Sequence, residues 1–385
     1  MNRNVIVLIV IGLISGTYWS LIYPVYQPFA LSLGVSMSLL GMIEAIGGGM
    51  GLLSTLSQLL GGVLADKHGR KKVMIIASTI SLLGFVIYLA SSSLRQVSLL
   101  VLGSIVMGCS WMRLPARNAL AAESSDREVR GLTFSLMMFA ATVPGIVFSP
   151  LGGWLAEKFG YEVIFMISLA MEALCLTIIA IFIVEEKVER SKLSFKSTLH
   201  ILIPKARILK NLYFIMAVDA FFWGLGSTLL YGFLSKSFKF SDTQLGILSG
   251  IFTASLALTE IPAGKIVDKY GAKISLILSE LIGIITLALW LTAKDFTTFA
   301  ISQIVFGASP SLWVPALNTY VSERAPEDKI AGVMGGLSAF RGLISFPAPY
   351  IGGLLFEISG FHLPIMINLI GAIISLVLLV ACLED

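Results

Sequence analysis

Twelve long apolar runs occupy most of this 385-residue chain. Each run has about 20 residues or more, the length that an α-helix needs to cross the hydrocarbon core of a bilayer. We number them spans 1 to 12 and place them at residues 5–31, 37–65, 73–92, 97–122, 132–157, 162–184, 211–235, 243–267, 274–293, 296–322, 332–357 and 362–383. Because backbone amides in lipid must bond within their own segment, the runs predict an all-α polytopic membrane protein.

The composition excludes several other classes of protein. The chain is 56% hydrophobic and 13% charged, whereas a soluble domain is about a quarter charged. Its basic residues lie in short loops between the spans and form no continuous surface for nucleic acid. The three cysteines are far apart and show no disulfide framework or metal-ligand spacing. With no nucleophile–base pattern either, we expect no enzyme activity, no metal and no cofactor.

The distribution of Lys and Arg predicts the orientation in the membrane. Loops on the side of the N-terminus carry eighteen of these residues, and loops on the other side carry five. Cytoplasmic loops of membrane proteins are enriched in Lys and Arg. We therefore expect a multi-pass protein of the cell membrane with both termini in the cytoplasm. The first apolar run continues too far for a cleaved signal peptide and is read as span 1.

The chain is an internal repeat of two halves. A polar segment, residues 185–210, separates six spans at 1–184 from six more at 211–385. Matching residues recur at offsets of 200 to 202, and this spacing predicts two parallel six-span bundles with a binding site between them. The matched pairs are Asp66 and Asp268, Gly69 and Gly271, Pro115 and Pro315, Asn118 and Asn318, Glu123 and Glu323, Gly152 and Gly352, Gly153 and Gly353, and Gly160 and Gly360.

One loop of the first half resembles the signature of a known family. The stretch GVLADKHGRKK, residues 62–72, is similar to the loop between spans 2 and 3 of the major facilitator superfamily. A degenerate copy, AGKIVDKYGAKIS at 263–275, lies between spans 8 and 9. The resemblance implies twelve helices in two pseudo-symmetric bundles that expose a central cavity alternately to each side. It also implies a small organic solute as substrate, and we expect a monomer in the lipid bilayer.

The resemblance assigns the charges of this loop to a cytoplasmic gate. Asp66 should face the start of span 11, where the positive end of a helix favours a carboxylate. Arg70 should meet Glu123 at the end of span 4, and Arg130 should complete the cluster. A general topology signal explains the neighbouring lysines equally well, but it does not explain the two carboxylates.

The second half keeps only part of this gate. Asp268 and Glu323 repeat the two carboxylates, and Ala272 stands where the arginine is expected. A charged pair at an exposed helix end is worth about 0–1 kcal/mol, and more when it is desolvated. The second half should therefore hold the cytoplasmic ends together less strongly than the first half does.

Ionisable residues inside spans are functional candidates, because burying a charge in lipid costs about 2.5–3.5 kcal/mol on insertion scales. Arg113, Asp219, Glu260 and Arg341 lie at similar depth on spans 4, 7, 8 and 11, which line the cavity in the resembled family. Arg117 lies one turn from Arg113 on the same helix face. These charges either bind substrate and protons or only neutralise each other to hold the helices together.

Further candidates are weaker. Glu44 on span 2 lies nearer the outer side, whereas Glu172 and Glu280 lie on spans 6 and 9, which pack outside the cavity in the resembled family. We therefore expect structural roles for those two glutamates. Cavities for organic molecules are usually apolar and aromatic with few polar groups. The aromatic candidates for the cavity wall are Trp19, Trp111 and Trp313.

These observations predict a secondary active transporter that moves a small organic solute by alternating access. A proton gradient is the expected driving force, with Asp219, Glu260 or Glu44 as the proton carrier, and export is one possible direction. The first alternative is an organic-anion uniporter or exchanger that uses Arg113 and Arg341. A remote alternative is a sensor or lipid scramblase with the same fold.

Overall fold

A computed structural model describes residues 2–49, 51–126, 129–185, 207–325 and 330–384. Most of the predicted linker at 185–210 lies outside these ranges. The helices are Arg3–Ile22, Tyr26–Ser32, Met37–Gly47, Leu52–His68, Arg70–Leu94, Val97–Ser110, Arg113–Glu123, Arg130–Thr142, Gly145–Phe159, Tyr161–Phe182, Arg207–Gly226, Leu230–Phe238, Asp242–Tyr270, Ala272–Thr292, Phe296–Arg324, Ile330–Ser345, Ala348–Ser359 and His362–Cys382.

Each predicted span corresponds to one helix or to two consecutive helices. Among the described residues, eleven segments are long and apolar enough to cross a membrane. Span 11 is the twelfth, and it consists of two shorter helices that are separated at Pro347. The all-α, twelve-span fold predicted from the sequence is confirmed, and the span ends shift by a few residues.

The interruptions within spans follow the internal repeat. Spans 1 and 7 break at residues 23–25 and 227–229, and spans 5 and 11 break at residues 143–144 and 346–347. Pro24, Pro144 and Pro347 lie in three of these breaks, since proline lacks the amide that continues a helix. The same spans of both halves are therefore built from two shorter helices.

Small residues set how closely the spans approach. A Cβ added to Gly152 of span 5 would overlap the backbone of Leu21 in span 1. In the second half, a Cβ on Gly352 of span 11 would overlap the backbone of Leu225 in span 7. Without a hydrophobic force between helices in lipid, such close backbone contacts are a main source of packing energy. The repeat seen in the sequence is thus a repeat of helix contacts.

The two faces of the membrane differ in how the halves meet. We call the side with the loop at residues 66–72 the signature side and the other the opposite side. The hydrogen bonds that join the first six spans to the last six, within the described ranges, all lie on the opposite side. One buried apolar cluster also crosses between the halves there. A second cluster is confined to the signature-side ends of the last six spans.

Candidate substrate cavity and signature loop

A cavity of about 280 Å³ lies between the two halves. Span 2 contributes Glu44 and two glycines to its wall, and spans 7 to 11 contribute the remainder. Four aromatic side chains line it, namely Trp223, Phe252, Phe306 and Trp313. Trp223 and Phe306 stack with their ring centres 5.5 Å apart. The wall is thus largely apolar and aromatic, as in sites for organic molecules.

Three carboxyl groups and one guanidinium face this cavity. They belong to Glu44, Asp219, Glu280 and Arg341. The carboxyl groups of Asp219 and Glu280 are adjacent, and Arg341 lies close enough to Asp219 to attract it electrostatically. One oxygen of each of these two carboxyls and the Nε of Arg341 are buried without a hydrogen-bond partner among the described residues. Such unpaired buried groups favour the binding of a polar ligand or a proton, since leaving them unpaired is costly.

Glu280 corrects one expectation from the sequence. Span 9 was expected to pack outside the cavity, yet Glu280 is buried and reaches the cavity wall beside Asp219. The depth of a residue along a span can be counted in the sequence, but the rotation of the helix about its axis cannot. The spacing of charges alone therefore could not assign Glu280 to the cavity.

Arg113 also differs from expectation, because its partner is in its own half. Its Nη1 donates to both carboxylate oxygens of Glu172 at 2.7 and 3.0 Å. Its Nη2 donates to the hydroxyl of Tyr18 at 3.0 Å, and that hydroxyl donates to Glu172 at 2.6 Å. The Glu172 side chain is 0% exposed and the Arg113 side chain 17%. Arg113 is thus neutralised between spans 4 and 6 and is not grouped with Asp219 and Arg341.

Two further charged candidates are not brought to the cavity wall. Arg117 bonds the side-chain oxygen of its neighbour Asn118 at 3.3 Å. Glu260 is exposed on span 8, between Leu258 and Ile261, which are 78% and 73% exposed. Neither residue belongs to the cavity lining. The predicted ring of four charges at one depth is therefore reduced to Asp219 and Arg341, joined by Glu280 and Glu44.

The aromatic candidates separate in the same way. Trp313 lines the cavity. Trp19 and Trp111 pack against each other within the first half, with ring centres 6.5 Å apart. Trp111 also lies beside Gly49, where an added Cβ would stand 3.1 Å from the indole ring, and Gly49 is part of the cavity wall. Trp111 is thus one layer behind the wall.

The signature loop holds the predicted contact between Arg70 and Glu123. The Nη2 of Arg70 lies 2.7 Å from Glu123 and 2.9 Å from Asp66. Its Nη1 donates to the carbonyl oxygen of Ala65 at 2.8 Å. In the described part of the chain, Asp66 bonds no residue of span 11, and the buried Nε of Arg130 has no hydrogen-bond partner. The cluster therefore ties spans 2, 3 and 4 within the first half.

The second half lacks such a cluster among its described residues. Asp268 is exposed, and Glu323 forms an ion pair at 2.8 Å with its neighbour Arg324. Ala272, at the arginine position, is buried. This asymmetry agrees with the weaker second gate expected from the sequence.

Sequence reasoning missed one residue at the signature loop. The carboxylate of Glu185, at the end of span 6, accepts the backbone N–H of Arg70 at 2.5 Å. A Cβ on Gly69 would stand 2.7 Å from that carboxylate, and Gly69 has a φ of +102°. Glycine is thus required here both for the backbone conformation and for the close approach of Glu185.

The model of one protein family matches nearly the whole chain. That model, described as Major Facilitator Superfamily, matches residues 8–231 and 212–385. The chain belongs to this superfamily. Members of the Major Facilitator Superfamily are secondary transporters and not enzymes, and this chain is a membrane transporter of that kind.

Curated relatives share this family across most of their length. The chain is 25% identical to a multi-drug resistance efflux pump homolog of Lactococcus lactis, covering 93% of both chains. It is 25% identical to a quinolone resistance protein of Staphylococcus aureus, covering 98% of this chain and 97% of the relative.

Solved structures confirm the superfamily fold. The nucleoside transporter NupG superposes with a TM-score of 0.77 at 16% identity, covering 98% of both chains. The human organic anion transporter MFSD10 superposes with a TM-score of 0.73 at 18% identity, covering 98% of this chain and 99% of the other. At these identities the likeness concerns the fold alone.

Proposed function

We propose that this transporter exports lipophilic organic cations from the cytoplasm in exchange for protons. The observation that carries the proposal is the cavity between the halves, where Asp219 and Glu280 place adjacent carboxyl groups beside stacked aromatic rings. The relatives named for multi-drug efflux and quinolone resistance support the direction and the breadth of substrate.

The charges of the cavity favour a cation over an anion. When all groups are ionised, the three carboxylates outnumber the single guanidinium of Arg341. Arg113, on which an anion carrier would depend, is occupied by Glu172. Aromatic faces such as those of Trp223 and Trp313 attract cations through the ring quadrupole. An organic-anion carrier therefore has less support than a cation carrier.

The carboxyl pair supplies a mechanism for proton coupling. Two adjacent carboxylates disfavour each other's charge, so one proton is readily held between Asp219 and Glu280. A bound cation stabilises the doubly ionised pair and displaces that proton. Since only one of the two ligands is favoured at a time, movement of the cation outward is linked to movement of the proton inward.

The proposal includes an arrangement in the membrane. Bundles 1–184 and 211–385 move against each other, with 185–210 as the cytoplasmic linker between them. Both termini and the signature side face the cytoplasm, as the Lys and Arg distribution indicates. In that orientation, the contacts on the opposite side close the cavity toward the outside. The unit that carries out transport is a monomer.

The test compares accumulation with exchange in the same proteoliposomes. With tetraphenylphosphonium as the probe, a pH gradient should drive accumulation by the wild-type protein. Asp219→Asn or Glu280→Gln should lower gradient-driven accumulation at least tenfold, because the pair can no longer gain and lose its proton. Exchange of labelled for unlabelled probe should persist, since exchange needs no net proton movement.

Glu260→Gln is the matched control, because it removes an exposed carboxyl group of the same protein outside the cavity. It should retain both activities. The proposal fails if the two cavity variants lose accumulation and exchange together, or if neither variant separates the two. Uptake of p-aminohippurate that depends on Arg341 and not on Asp219 would instead establish the organic-anion carrier.

A further inference from the structure

Four spans end in the same short sequence pattern. Spans 2, 5, 8 and 11 each end in a glycine, an acidic residue four positions later and a second glycine three positions after that. The copies are residues 62–69, 153–160, 264–271 and 353–360. The last glycines have φ values of +102°, +85°, +82° and +70°. Because the first glycine and the acid are one helical turn apart, they lie on the same helix face.

On the opposite side, two of the four copies contact the other half. The carboxylate of Glu157 in span 5 accepts the backbone N–H of Thr243, at the start of span 8, at 3.1 Å. The carboxylate of Glu357 in span 11 accepts the backbone N–H of Ser38, at the start of span 2, at 2.9 Å. It also accepts the Ser38 hydroxyl at 3.0 Å. The two contacts are equivalent under the internal repeat.

The glycine of each copy lets the backbones meet beside these carboxylates. A Cβ on Gly153 would overlap the carbonyl group of Asp242, and a Cβ on Gly353 would overlap that of Met37. The helix start of the other half therefore lies directly against the glycine. One turn further along, the glutamate reaches over the end of that helix.

Both glutamates satisfy an amide that the helix itself leaves unpaired. The first amides of an α-helix have no partner within the helix. At the starts of spans 2 and 8, the serines Ser36 and Ser241 accept the amides of Leu39 and Gln244 with their side chains. The amide one position earlier is left for the glutamate, whose negative charge also matches the positive end of the helix dipole.

We propose that Glu157 and Glu357 are the gate residues of the opposite side: each carboxylate caps a helix of the other half, and both contacts break when that side opens. The inference rests on the alternating access proposed above, and it assigns a gate where the signature loop offers none. The remaining two copies end on the signature side, where neither Asp66 nor Asp268 contacts the other half within the described ranges.

Distances between the halves test this gate directly. Spin labels at Lys158 and Ser237, in a variant without the three native cysteines, report the separation on the opposite side by double electron–electron resonance. Glu157→Ala or Glu357→Ala should lower the ratio of closed to open molecules about threefold each, and the double variant about tenfold, since exposed charged contacts are individually weak. Glu157→Gln should have a smaller effect, because its amide oxygen still accepts a hydrogen bond.

Glu162→Ala is the matched control, because it removes an exposed glutamate on the same side that forms no contact with the other half in the described ranges. Its distances should match those of the wild type. Gly153→Val tests the same interface by steric overlap and should also populate the open form. The gate is disproved if the double glutamate variant, folded and purified normally, shows wild-type distances. The measurement uses neither substrate nor gradient, so an error in the proposed substrate would leave its result intact.

Discussion

At the scale of single residues, the salt bridge between Arg113 and Glu172 is a structural element of the first half. Glu172 is fully buried and takes hydrogen bonds from both Arg113 and Tyr18. Removing one partner of a buried ion pair leaves an unpaired charge, which typically costs about 3–5 kcal/mol. Arg113→Ala should therefore lower the free energy of unfolding by about that amount, measured by thermal unfolding in detergent micelles.

Arg117→Ala is the comparison for this prediction, since Arg117 lies one turn away and bonds only its neighbour Asn118 among the described residues. It should cost less than about 1 kcal/mol. The double variant Arg113→Met, Glu172→Leu should recover most of the lost stability, because an apolar pair needs no desolvation. A loss of probe binding by Arg113→Ala without any loss of stability would return Arg113 to the cavity.

The cavity residues show what the sequence alone can and cannot predict. Asp219 and Arg341 were predicted at the cavity because their depth and their spans could be read from the chain. Glu280 was assigned wrongly and Arg113 was given the wrong partner, because both errors concern which way a helix face points. That orientation depends on which small residues let neighbouring helices approach, and one sequence does not give those contacts.

At the scale of helices, glycine contacts determine the spacing of spans 1 and 5 and of spans 7 and 11. A Cβ on Gly152 or Gly352 would overlap a neighbouring backbone, whereas nothing lies within 4 Å of a Cβ on Gly335. Overpacking a close helix contact typically costs about 1–3 kcal/mol. We expect Gly152→Ala and Gly352→Ala each to lower the free energy of unfolding by that amount, measured by thermal unfolding.

Gly335→Ala is the control, and it should be neutral or raise stability by up to about 1 kcal/mol, because alanine favours the helix. Equal effects of all three substitutions would show that helix propensity, and not close packing, determines the result. The glycine pairs were recognised in the sequence from their common offset. The two glutamates that follow them share the same offset of 200, so Glu157 and Glu357 were also recognisable there.

At the scale of the whole molecule, the four repeated patterns form two pairs, one on each side of the membrane. The pair on the opposite side is engaged across the halves through Glu157 and Glu357. The pair on the signature side is not packed against the other half, since a Cβ on Gly264 would have nothing within 4 Å and one on Gly62 would meet only Pro115 at 3.9 Å. The internal symmetry implies that the second pair packs against the starts of spans 5 and 11 when the signature side closes.

This arrangement predicts that bulky residues at the two sides shift the molecule in opposite directions. Gly264→Val should leave the stability of the present conformation unchanged, because the space beside it is open. It should hinder closure of the signature side and lower the transport rate at least fivefold. Spin labels at His68 and Ser322 should show longer distances on that side, whereas Gly153→Val should shorten them by favouring the alternative conformation. Shifts in the same direction for both variants would contradict the two-pair arrangement, because a bulky side chain at either position would then disturb the protein without regard to its side.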